Sequence, residues 1–129
     1  MFLLNKYKNL VFMSFLLVLA LMFSAKVDAK VQSFTATTGS TWAYASSRNT
    51  KSDTLKTAWV HWQSSSKSKH KQWFRVVNSD GAVRGESLLN YLQNKTFSTT
   101  QKKGYYAWLK TKREHMIDPI TKVSGRWDP

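Results

Sequence analysis

The sequence has no cysteine, two prolines, five glycines and only seven Asp and Glu residues, against twenty Lys and Arg. Each scarcity excludes something. Without cysteine there is no disulfide scaffold, no Cys-ligated zinc and no thiol nucleophile. Acidic residues are too few and too scattered to suggest a carboxylate pair or a metal cluster. At 129 residues the chain holds one domain at most, and its 14% aromatic content argues against intrinsic disorder. What is present is a formal charge of +13 and six tryptophans.

The first segment has to be set aside before that charge is interpreted. Lys6 and Lys8 precede an uncharged run from Leu10 to Phe23, apolar but for Ser14, which ends in the small-residue stretch Ser-Ala-Lys-Val-Asp-Ala. A run of fourteen residues is short of the ~20 that cross a bilayer, and a basic start with a Val-Asp-Ala site reads as a secretory signal peptide. Cleavage is expected between Ala29 and Lys30, leaving residues 30–129 as a secreted domain. The alternative is an uncleaved anchor; a lipoprotein is excluded because no cysteine can carry the lipid. Removing residues 1–29 takes away three lysines and Asp28, so 17 cations and 6 anions remain, a net +11 over 100 residues. Secretion without cysteine fits a Gram-positive bacterium.

The mature part alternates with period two, the pattern of half-buried strands. Val31–Thr38 and Thr41–Arg48 flank the turn Gly39-Ser40, and Leu55–Gln63, Lys71–Val77, Lys95–Thr99, Tyr105–Lys112 and Thr121–Trp127 follow. Asn78-Ser79-Asp80-Gly81 is a hairpin signal. Glu86–Gln93 reads as a short helix or a bulged strand. The expectation is an all-β fold, a small antiparallel β-sandwich of six to eight short strands or a small barrel, preceded by the hydrophobic signal-peptide helix.

Two features suggest binding. Lys67, Lys69, His70 and Lys71 form a cationic hairpin tip suited to a polyanion: a cell-wall polymer, an anionic membrane surface, or a wall precursor's pyrophosphate. The second is the aromatic set. Trp59 and Trp62 alternate across one strand, as do Trp73 and Phe74 in another and Tyr105 and Tyr106 in a third, so one ring of each pair must point outward. Trp62 and Tyr105 are the expected exposed anchors, for envelope contact or a homodimer; Trp42, Trp73 and Trp108 are expected to cover the edges of the core.

Catalysis has little support in the sequence. His61, His70 and His115 are far apart, there is no Gly-rich phosphate loop and no serine elbow, and no metal or cofactor is called for. Basic strands with aromatics also suit nucleic acid, but a signal peptide makes specific nucleic-acid recognition a poor reading.

Several short segments carry a family resemblance. Gly39-Ser40-Thr41-Trp42-Ala43-Tyr44 resembles the Gly-Gly-Thr-Trp-Asn-Tyr segment of lactococcin 972-like bacteriocins. Ser66–His70 is similar to that family's Ser-Lys-Thr-His turn, Val76–Gly81 to its Val-Val-Asn hairpin, and Gly104–Trp108 to its Gly-x-x-Ala strand. The C-terminal Gly125-Arg126-Trp127-Asp128-Pro129 resembles instead small secreted bacillus proteins ending in Gly-x-Trp-Ser-Pro. The first resemblance implies a secreted β-sandwich that binds the wall precursor lipid II without opening pores. The expected function is thus bacteriocin-like inhibition of related bacteria through an anionic envelope component, the alternative being a non-toxic secreted wall- or polyanion-binding protein.

Overall fold

The computed structural model describes residues 31–129; the signal-peptide helix expected over residues 1–29 lies outside the described residues. The described chain is all-β, with two antiparallel sheets and no helix. Its strands are β1 (Gln32–Thr38), β2 (Ala43–Tyr44), β3 (Asn49–Thr50), β4 (Thr57–Ser65), β5 (Gln72–Asn78), β6 (Val83–Leu89), β7 (Asn94–Ser98), β8 (Tyr106–Arg113) and β9 (Thr121–Asp128). One sheet has the order β1-β9-β4-β7 and the other β2-β8-β5-β6, with β3 also paired to β8.

The core is built from the alternation. Phe34 and Ala36 of β1, Ala58, Val60 and Trp62 of β4, and Val123 and Trp127 of β9 face Phe74 and Val76 of β5 and Ala107 and Leu109 of β8. Rings interlock across the two sheets: Phe34 meets Phe74 edge-on at 5.4 Å between centroids. Gly125 makes the closest approach possible. A methyl group there would lie 2.0 Å from the His61 carbonyl oxygen and 2.8 Å from the Phe34 ring, so the phenyl occupies the space a side chain would need.

Nine strands appear where six to eight are expected, chiefly because Thr41–Arg48 does not run as one strand. Ala45 turns away between β2 and β3, donating its N–H to Leu109 and accepting from Thr35 of the other sheet. The Ala45 N–H still bonds within its own sheet, while its carbonyl, lost to the ladder, ties the two sheets together. The helix reading of Glu86–Gln93 is corrected: Leu89 ends β6 inside the core, and Asn90–Gln93 is a turn closed by the Gln93 N–H on the Asn90 carbonyl at 3.0 Å.

At the end of the sandwich holding Pro129, Lys51 is buried, 1% exposed. Its ammonium donates to the Thr57 and Pro129 carbonyl oxygens at 3.1 and 2.9 Å and pairs with Asp53 at 3.1 Å. Nearby, burial pushes the Asp128 carboxyl above its ordinary value; repulsion from Asp53 adds to this and Lys51 opposes it.

Candidate functional site

Strand direction sorts the loops into two ends. β1, β4, β6 and β8 run one way and their antiparallel neighbours the other, so the β1–β2, β8–β9, β4–β5 and β6–β7 connections share one end. All four cross from one sheet to the other, and the two sheet orders place them side by side in that sequence. Contacts between neighbours bear this out. The Arg113 N–H donates to Gly39, the Glu114 N–H donates to Lys71 at 3.3 Å, and the Lys69 ammonium lies 5.5 Å from the centre of the Tyr91 ring.

The cationic tip, residues 66–71, is the β4–β5 connection. Its serines fold it: the Ser65 hydroxyl donates to the Ser68 carbonyl, the buried Ser68 hydroxyl accepts from the His70 N–H at 3.1 Å, and Ser66 exchanges two hydrogen bonds with Lys122. With the serine hydroxyls engaged in these hydrogen bonds and Ser68 buried, Lys67, Lys69, His70 and Lys71 are left exposed. His70 Nδ1 lies 3.8 Å from Asp118 of the neighbouring loop.

That β8–β9 loop is also a defined turn. The Asp118 carboxylate accepts from the His115 N–H at 3.0 Å, the Asp118 N–H returns to the His115 carbonyl, and Arg113 donates to the Asp118 carbonyl at 2.6 Å. Asp118 is buried, and beside the exposed His115 the turn presents three aliphatic side chains to solvent: Met116, Ile117 and Ile120 are 79, 94 and 59% exposed. On the other side of the cationic tip, the β6–β7 turn presents Leu92, 55% exposed and at φ +65°. This is the left-handed region that favours glycine in a turn of this kind. The end therefore carries a central cationic loop with an exposed aliphatic group on each side.

The two expected aromatic anchors are not part of it. Trp62 is 0% exposed: its indole N–H donates to the Ser64 carbonyl at 2.8 Å, and its ring packs on Phe74 and edge-on against Tyr91. Its face of β4 also carries Ala58 and Val60, the wholly apolar face, and burying that face turns Trp59 and His61 outward. Tyr105 is exposed, but it sits in the β7–β8 loop at the opposite end, beside a cleft lined by Asp80, Arg84, Gln101 and Lys102. Eight residues of β8 separate it from the cationic tip, about 25 Å at ~3.3 Å per residue.

Trp42, Trp73 and Trp108 are half-buried on the outer face of the second sheet, outside the core cluster. Arg75 lies over the Trp42 ring at 3.9 Å with Lys112 at 5.1 Å, and Lys110 lies over Tyr44 at 4.4 Å. Arg75 also pairs with Glu86 at 2.7 Å. The alternation Trp108-Lys110-Lys112 beside Trp73-Arg75 carries this stripe in the sequence. The aliphatic loop had a signal as well: Met116-Ile117 sits in a turn, where polar residues and glycine are the rule.

Among the described residues no group of three His, Asp or Glu side chains is arranged to hold a metal ion. Comparison with protein-family models, with curated proteins and with solved structures finds no match to this chain.

Proposed function

We propose that the chain is a secreted, non-enzymatic binding protein whose β4–β5 loop, Lys67, Lys69, His70 and Lys71, docks on an anionic component of the bacterial cell envelope. The observation that supports it most is the disposition of charge at that end. Three lysines are exposed on a loop folded by its own serines, while of the two acids beside them Asp118 is buried and Glu114 lies 3.4 Å from His115. Asp118 lies beside His70, and no carboxylate is within ion-pair distance of Lys67, Lys69 or Lys71 among the described residues, so these three ammonium groups direct a positive field outward; a net +11 is tolerated despite its self-repulsion.

Bacteriocin-like inhibition of related bacteria is the biological role proposed with it, on the resemblance of the Gly39–Tyr44 and Ser66–His70 segments. The test has two arms. Purified protein should bind wall fragments in a salt-sensitive manner, and Lys67→Ser, Lys69→Ser and Lys71→Ser together should weaken that binding and flatten its salt dependence. It should also slow growth of a related strain, with added lipid II antagonising the effect. Full growth of every relative tested, at a dose that saturates the wall fragments, removes the inhibitory role and leaves a wall-binding protein.

A further inference from the structure

The aliphatic groups flanking the cationic loop are not accounted for by binding a soluble polyanion. Ile117 is 94% exposed and Met116 79%, on a loop that Asp118, His115 and Arg113 hold in one conformation through hydrogen bonds. Leu92 occupies a left-handed turn position at φ +65°, where glycine would be adopted without strain, and it is still a leucine that projects into solvent. Two separate turns thus present aliphatic side chains at the same end of the sandwich, on either side of Lys67, Lys69 and Lys71.

We propose that this end is a membrane-docking surface: Met116, Ile117, Ile120 and Leu92 enter the headgroup and acyl boundary of an anionic bilayer while the lysines between them contact lipid phosphates. The proposal rests on the envelope-binding reading above and names the lipid surface as the partner. Charge decides between occupants. A second copy approaching by the same end would bring the two lysine loops together, and repulsion would oppose the apolar contact; an anionic lipid surface satisfies both features at once. Each lysine near such a surface contributes about a fivefold gain in partitioning, and each aliphatic side chain withdrawn from water about tenfold or more.

The experiment uses vesicles of phosphatidylcholine with and without phosphatidylglycerol, and beads bearing teichoic acid. The protein should bind the phosphatidylglycerol vesicles and the beads. Met116→Ser with Ile117→Ser alters only exposed positions; it should cut vesicle affinity at least tenfold and leave bead binding unchanged. Because the chain has no cysteine, Ile117→Cys and, at the opposite end, Asp80→Cys each give a single attachment point for a polarity-sensitive dye. The dye at 117 should shift to an apolar emission on vesicle binding and the dye at 80 should not. Equal vesicle affinity of the double variant and the parent, or bound protein with no shift at 117, overturns the lipid wedge and leaves the cationic reading standing on the beads. A concentration-dependent dimer lost in the double variant, with vesicle binding intact, overturns it in favour of self-association. Parent protein that binds neither vesicles nor beads overturns both readings.

Discussion

Replacing Gly125 by alanine tests the close packing of β1, β9 and β4 within the first sheet, where Phe34 lies across Gly125. The added methyl group would lie 2.0 Å from the His61 carbonyl oxygen and 2.8 and 2.9 Å from two atoms of the Phe34 ring, whereas ordinary contact begins near 3.4 Å. Relief therefore needs a displacement of about 1.4 Å between β9 and β4, or expulsion of Phe34 from a site where it is 2% exposed. Strands sit about 4.8 Å apart, so a shift of that size breaks ladder hydrogen bonds around the Trp62–Gly125 pair. Overpacking costs about 1–3 kcal/mol and each weakened hydrogen bond about 1 kcal/mol more, which gives about 4 kcal/mol in total. For a domain stabilised by about 5–15 kcal/mol the loss is large, and it corresponds to a fall in Tm of about 15–30 °C. Thermal and urea unfolding of the purified protein measure it. Gly39→Ala, with open space around the new methyl, serves as the control and should stay within about 0.5 kcal/mol. Equal stability of the two variants would refute the packing argument.

Three further outcomes follow from other parts of the molecule. Asp128 has its folded-state pKa raised by burial, so the folded protein holds that proton more tightly than the unfolded chain, and ionising Asp128 costs stability as pH rises through the carboxylate range. Asp128→Asn should therefore gain on the parent as pH rises from 3.8 through the raised value, with a constant advantage above it; Tm against pH reads this, and a gain confined to acid pH would contradict it. Lys51→Met removes two hydrogen bonds from a buried ammonium and should cost about 2–3 kcal/mol in denaturant unfolding, with no loss of vesicle or wall binding because Lys51 lies at the opposite end. Leu92→Gly relieves a left-handed leucine, worth about 1 kcal/mol, against a modest loss of partial burial. Its unfolding free energy should stay within about 1 kcal/mol of the parent while vesicle affinity falls, and a loss above about 2 kcal/mol would make Leu92 a packing residue.

Much of the fold was legible in the alternation of the chain. The β5–β6 hairpin follows from Asn78-Ser79-Asp80-Gly81: Gly81 takes φ +78°, and the Asn78 side chain accepts from the Asp80 and Ala82 N–H groups. Period two also put Trp59 and Trp62 on opposite faces. Which face is buried had to come from the companions of each ring: Ala58 and Val60 beside Trp62, Thr57 and His61 beside Trp59. Adjacent leucines at 88 and 89 suit a helix as well as a strand, and only pairing with Trp73 and Gln72 of β5 settles the matter.

The cationic loop was visible as a run of charge, but its neighbours were not. Leu92 and Ile117 are 23 or more residues from Lys67 and Lys69 in sequence, and the crossing order of the two sheets brings their loops side by side. The same order sends Tyr105 to the far end. Local pattern holds no record of which loops share an end, because that depends on strand pairing over the whole chain.

The proposed role of Lys67, Lys69 and Lys71 in directing the protein to an anionic envelope surface is tested by one titration. The parent and the triple Ser variant are titrated against Gram-positive envelope preparations over a range of salt concentrations. At about 1 kcal/mol per lysine the variant should bind about 100-fold more weakly at low salt, and the difference should narrow as salt rises. Equal affinity and equal salt dependence for the two proteins would contradict the claim.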